Sequence, residues 1–469
     1  MKRSLSPRFV VLALLVLVPS LAAAQALLHQ PAQGAAPPPP SPTRVQAELA
    51  KLDSAPQVER IAAKFQADGD VPNLQHAAQR LVELRPHNGN YRYTLAAAHA
   101  LQDHKREAYD ALVRLQSAGY AFDIANDERF KKVHGTELWD YLVQNMEANA
   151  QEFGEGKVAY TLPAGDLLIE SLGWDPVRKQ LLAGSAREGK VFRVGKSGAL
   201  EEYIAADAKN GLWAVMDIAV DAPRDAIYVA STAIAHFKHA KKTDFGRAGV
   251  FHFKLSTGEF VARHEVPIDG RSHILSSIAV TPKGVVFVAD GVLRELWKIE
   301  AGKLRHVMHN PKLTTIRGMA ASDKALYFAD YDLGILGIDL ASGAAFDVAA
   351  TDKVTLYSIE GLSYYDGHLV AIQAGFPPKR VMRFELTPDG RAIKAHQALE
   401  AGRKQFGTPT RGVVAGDTYY FIANTQKDRY DMHGLLHTGA VLEPTKVFAS
   451  DLRFGMGLPG ALVPVPKKD

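Results

Sequence analysis

The chain is 469 residues long, 47% hydrophobic and 23% charged, with no cysteine and a formal net charge of +4. This is globular composition, and the length suits about two or three domains. The missing cysteine excludes disulfide scaffolds, thiol nucleophiles and Cys-ligated zinc or iron–sulfur centres, and the small charge gives no basis for nucleic-acid binding.

The first element is a secretory signal over residues 1–24. Lys2, Arg3 and Arg8 form a basic start, an apolar run covers 9–18, and Ala22, Ala23 and Ala24 supply small residues for cleavage. The run is about half a membrane span, so no span is expected once it is removed. No cysteine follows it, which excludes a lipoprotein anchor. The expected location is outside the cytoplasm, periplasmic or secreted. Loss of three cations and no acids leaves a net charge of about +1, too little to steer polyanions. Residues 25–42 are proline-rich, with Pro37, Pro38, Pro39 and Pro40 together. They favour extended polyproline conformation and read as a spacer, with a recognition peptide as the alternative.

Residues 43–150 are rich in Ala, Leu, Gln, Glu and Arg, which predicts helices. From Leu74 to Tyr120 they fit a 34-residue helical hairpin. Ala78 and Leu81 share one face and Pro86 closes that helix. Leu95, Ala96 and His99 lie on the next helix, and Ala108, Leu112 and Leu115 on its partner. Small residues at the crossing with larger ones around them resemble the tetratricopeptide repeat, with partial units at 55–86 and 121–148. Such a segment forms either a concave surface for a protein or peptide partner or a small cap packed on the next domain.

From about 155 to 455 the pattern becomes short apolar runs separated by Gly, Asp and Pro, which predicts strands. A variable residue, a small residue and an aliphatic residue recur as Glu170-Ser171-Leu172, Met216-Asp217-Ile218, Ser276-Ser277-Ile278, Arg317-Gly318-Met319, Glu360-Gly361-Leu362 and Arg411-Gly412-Val413. Each is followed by a second strand ending in a small or polar residue, at Ser185, Ser231, Asp290, Asp330, Gln373 and Asn424. The aliphatic anchors are 46, 60, 41, 43 and 51 residues apart. Six units of this length, each with room for four strands, predict a mainly β protein: a six-bladed β-propeller behind a small all-α domain. The small residue is needed where inner strands crowd the axis, and the residue before it can face the channel. The strand at 158–162 can complete the last blade and close the ring, leaving a tail at 456–469.

With these phrases in place, the propeller resembles the SMP-30/gluconolactonase-like group and is also similar to the strictosidine-synthase-like and NHL propellers. LIESLGWD at 168–175, LYFAD at 326–330 and IEGL at 359–362 carry the resemblance over about 155–455. It implies a divalent cation in the channel, held by Glu, Asn and Asp, that polarises a lactone carbonyl. Calcium, magnesium or manganese would suit such oxygen ligands. Glu170 matches the first ligand and Glu360 stands at the Asp position. Arg317 stands where the Asn belongs, and Ser276 where a substrate-facing Asn belongs. A guanidinium cannot ligate a cation. Arg317 is therefore expected to take the metal's electrostatic place by bridging the two carboxylates, with Arg411 adding a second positive group. No metal or other cofactor is then expected.

Two functions remain open. One is an exported binding or scaffold module whose channel holds a small anionic or polyol ligand, or only an ion-pair network, lined by Glu170, Ser276, Arg317, Glu360, Arg411 and Asn424. The other is a lactone or ester hydrolase using Glu170 and Glu360, with a divalent cation if the family chemistry is retained. His236 and His239 lie three apart beside Lys238, Lys241 and Lys242, which favours a solvated loop over a metal site. Gln426 and Asp431 either line the mouth or form turns. No Gly-x-Ser-x-Gly elbow, Walker motif or dinucleotide fingerprint is present.

Overall fold

The computed structural model describes residues 43–456. The expected signal segment, the proline-rich stretch and the tail past Met456 lie outside them. Six α-helices come first: α1 (Arg44–Ala50), α2 (Ala55–Ala67), α3 (Val71–Leu84), α4 (Gly89–Leu101), α5 (Lys105–Ser117) and α6 (Glu137–Ala150). Side-chain caps set four of their starts. Thr43 and Gln46 form a reciprocal capping box, and Asp70, Asn88 and Thr136 each accept an amide of the following first turn. Ala77, Ala78, Ala96, Ala97, Ala100 and Ala108 are buried where consecutive helices meet, because a methyl group lets backbones approach closely. Among the described residues, no helix is long and apolar enough to cross a membrane.

The rest is a ring of six four-stranded antiparallel sheets. Blades 1 to 5 span residues 169–205, 214–265, 275–309, 316–347 and 359–401, each from consecutive strands. Blade 6 takes three strands from residues 412–451, and its outermost strand is Lys157–Leu162, paired from Lys157 with Ala449 to Leu162 with Thr445. The first strand of the domain thus fastens to the last, which removes the open edges of the ring. The described residues hold the six-bladed propeller and N-terminal helices read from the sequence.

The recurring small residue has the predicted cause. A Cβ on Gly318 would lie 2.6 Å from the Leu362 amide nitrogen of the next blade, and one on Gly361 would lie 2.9 Å from the Thr410 carbonyl. The polar residue closing each second strand is a buried loop anchor. Ser231 accepts from the Trp213 amide at 3.0 Å, Asp330 from Thr314 and Thr315 at 2.6 and 2.9 Å, and Gln373 donates to the Thr355 and Tyr357 carbonyls at 3.0 and 2.9 Å. Backbone groups in tight loops need such partners once water is excluded.

The helices dock on one end of blades 4 and 5. Tyr120 lies at the centre, 2% exposed, among Phe122, Phe376 and Tyr357. Its hydroxyl accepts from the Gly89 amide at 3.0 Å and stands 2.9 Å from the His87 carbonyl and 3.0 Å from Thr355 Oγ1 of the propeller. Nearby, Arg380 is 6% exposed and bonds to uncharged acceptors: Gln373 Oε1 and the carbonyls of Ala118 and Gly119 just past α5. Burial pulls its guanidinium down to about 10, and the negative end of the helix dipole faces it. The loops contacted, after Asp330 and Gln373, are at the end of the blades where the inner strands begin, because Asp330 pairs with Ile316 and Gln373 with Ile359.

Candidate functional site

The channel-facing residues are exposed by a repeated irregularity of the inner strands. The pairing of inner and second strands slips between Ile169 and Ser171, Val215 and Asp217, Leu275 and Ser277, Ile316 and Gly318, and Ile359 and Gly361. The residue skipped each time is Glu170, Met216, Ser276, Arg317 or Glu360. A bulge leaves one residue unpaired and re-aims its side chain. In blade 6, Arg411 stands just before the first paired residue, Gly412. All six line one chamber of about 470 Å³ at the axis, a volume suited to a small molecule.

Arg411 occupies the centre. Its guanidinium donates across the channel to the carbonyls of Arg317 and Ser276. It also borders a second cavity of about 500 Å³ on the opposite side, where Asp217 lies, so it divides the channel in two. Asp217 accepts from Ser277 Oγ at 3.1 Å and from the Ile278 and Ile218 amides at 3.0 Å each. Burial still pushes its carboxyl above the ordinary range, against the pull of Arg411 and these donors.

Within the chamber, Glu170 accepts a hydrogen bond from Thr425. Burial raises its pKa and the Glu360 charge raises it further, while Lys427, Thr425 and Arg411 oppose the shift. Arg317 Nη1 stands 3.6 Å from Glu360 Oε2, with side-chain exposures of 36% and 18%. Its guanidinium also lies 5.7 Å from the centroid of the Tyr331 ring. Tyr331 meets Tyr357 edge-on at 5.4 Å, and Tyr357 accepts from Asn90 of α4 at 3.3 Å. A chain of contacts thus runs from the helices to the chamber. Arg317 Nε and Thr410 Oγ1 are buried without a hydrogen-bond partner.

Two expectations are corrected, those for Arg317 and Asn424. Arg317 pairs with Glu360 alone and does not bridge to Glu170; Arg411 is the arginine that spans the axis. Ser276 lines the chamber as expected, with its hydroxyl donating to the Ile316 carbonyl at 2.7 Å. Asn424 is a loop anchor like the other strand-end residues, accepting from the Lys446 amide at 2.7 Å and donating to the Pro444 carbonyl at 3.1 Å. Gln426 likewise holds Glu443, and Asp431 caps a turn to His433 and Leu435. His236 and His239 part company: His239 stands 3.9 Å from Glu188, and His236 borders a neighbouring recess. Thr425 and Lys427 were missed because they follow a strand end in an irregular loop, where no period marks which side chains turn inward.

The donor set does not fit the cation that the resemblance implies. Three carboxylates line the chamber, Glu170, Glu360 and Asp428, of which Glu360 is already paired with Arg317, and a second guanidinium fills the axis. Among the described residues, no group of three or more His, Asp or Glu is placed to hold a metal ion.

Comparison with known proteins places the fold in context. No family model matches the chain, and no curated protein matches its sequence. Solved six-bladed propellers do match in shape. A gluconolactonase from Xanthomonas campestris is 13% identical at a TM-score of 0.43, over 65% of this chain and 92% of that one. The PQQ-bound aldose sugar dehydrogenase of Streptomyces coelicolor is 16% identical at 0.40, over 64% and 100%. At these identities and TM-scores the likenesses carry no argument about the chain, whose six-bladed ring is read from its own sheets.

Proposed function

We propose that this protein hydrolyses a lactone or related ester in the channel chamber. The observation that carries the proposal is the meeting, in one chamber, of a carboxyl raised by burial with a cation whose Nε lacks a partner: Glu170 and Arg317. A carboxyl held above its ordinary range is suited to exchange a proton with water or a leaving alcohol. Arg317 and Lys427 supply positive charge for an oxyanion developing on the carbonyl carbon's oxygen. Glu360 orients Arg317, and Thr425 orients Glu170. The basic, apolar and alanine sequence at the N-terminus supports action outside the cytoplasm.

The test is proton release by the purified chain on a panel of aliphatic and sugar lactones and simple esters. Turnover by wild type, lowered about 100-fold or more in Glu170→Gln, is the expected result. Equal rates in both, or no turnover of any substrate, would overturn the proposal. A second reading, binding without chemistry, is favoured by the protein partners that Glu170 and Glu360 already have. It predicts calorimetric binding of small anions or polyols with no proton release.

A further inference from the structure

A third cavity, of about 430 Å³, adjoins the chamber. Glu170, Met216, Ile274 and Lys427 line both, so the two meet along these residues. Away from that seam the recess is apolar, walled by Leu168, Ala186, Ala233, Ile234, Phe245 and Met432. Its polar side chains there are few: Ser272, His236 and His273. His273 is bonded at both ring nitrogens, to Asp290 at 2.9 Å and Asp269 at 3.2 Å. Burial lowers the pKa of His236, with Lys427 and Arg187 adding to the effect, so its imidazole is neutral at neutral pH. Phe245 and Met432 are 50% and 81% exposed at the recess, apolar surface that a ligand would cover.

We infer that chamber and recess form one bipartite site for an amphipathic ester or lactone, with the carbonyl beside Glu170 and Arg317 and an aliphatic arm in the recess. This rests on the chamber reading above and narrows its substrate class. A polyol reaching into the recess would find only Ser272 and His236 as partners among apolar walls and would bury its remaining hydroxyls unpaired, which is costly. An alkyl arm loses nothing there and gains the transfer of its methylenes from water.

The probe is a series of γ-lactones from four to ten carbons. Affinity is measured calorimetrically on full-chain Glu170→Gln, which separates binding from turnover, and proton release is followed on wild type. Affinity should rise by up to about fourfold per added methylene until the recess is filled. Ala235→Trp, which fills the recess, and Phe245→Ser, which makes its exposed rim polar, should each bring the ratio of ten-carbon to four-carbon affinity toward one. Far-ultraviolet melting confirms that both variants are folded. Affinity that does not depend on chain length in Glu170→Gln overturns the inference, even if wild type hydrolyses short lactones. Chain-length dependence that survives both substitutions also overturns it, because the arm then lies elsewhere. Chain-length dependence abolished by both, without proton release from wild type, upholds the bipartite site and overturns the hydrolase reading instead.

Discussion

Removing the Tyr120 hydroxyl tests how the helices are joined to the propeller. In Tyr120→Phe the ring stays, stacked on Phe122 at 5.4 Å and tilted against Phe376 at 4.4 Å. The His87 carbonyl keeps its bond from Thr355 Oγ1 at 2.8 Å. The group left without a partner is the Gly89 amide at the start of α4, whose acceptor was the hydroxyl at 3.0 Å. A buried amide stripped of its acceptor costs about 1–3 kcal/mol. Tyr120→Ala also removes the aromatic ring, adding about 3–5 kcal/mol by analogy with other large aromatic truncations. Urea unfolding should therefore show a modest shift for Phe and a large one for Ala. Ellipticity reports the helices, and tryptophan fluorescence is dominated by Trp174, Trp213 and Trp297 of the propeller. The Ala variant should also expose the 119–123 segment to protease. Its hydrolysis should fall, because Phe376, Tyr357 and Tyr331 lead from Tyr120 to Arg317. A Phe variant within about 0.5 kcal/mol of wild type, or an Ala variant whose two probes and protease pattern are unchanged, would refute the reasoning.

Other consequences can be checked in the same preparations. Gly318→Ala puts a methyl group 2.6 Å from the Leu362 amide, and backbone cannot yield there as a flexible side chain would, so a loss of about 1–3 kcal/mol is expected in urea unfolding. Burial lowers the pKa of His273, but Asp290 and Asp269 outweigh burial and the net shift is upward, with Arg271 tied to Asp269 and Glu295 alongside. Its folded value lies above 6.5, so its contribution is complete below that pH and is lost as pH rises through the folded value; thermal melts across pH 5–9 should show this slope in wild type and not in His273→Phe. Arg411→Met removes two bonds from a charged donor, each worth about 1.5–3 kcal/mol. It also lets Glu170 and Asp217 rise further, so its destabilisation should be larger at pH 7 than at pH 4; equal losses at both would disprove the charge coupling.

Much of the architecture was legible because it is repetitive. Six copies of a small residue before an aliphatic one record the same steric demand, met blade after blade, and Gly318 and Gly361 show that demand as close approach to neighbouring backbone. The residue before each was rightly expected at the channel, since a bulge falls at the same place in five inner strands. Asn424 was misplaced for the same reason. It belongs to a recurring strand-end class whose members look polar enough for a site yet are used up by their own loops.

The sequence by itself determined which six side chains reach the axis, because strand period and interblade crowding are local and repeat along the chain. It could not determine how they share the space there. Whether Arg317 or Arg411 crosses the channel depends on reach from different blades, and residues 94 positions apart meet only when the ring closes. Thr425 and Lys427 reach Glu170 from an irregular loop on another blade, and the helices reach Arg317 through Tyr357 and Tyr331. These contacts oppose the upward shift of the Glu170 carboxyl and hold Arg317 at the chamber. They exist only once burial has removed water and brought distant segments into one low-dielectric volume.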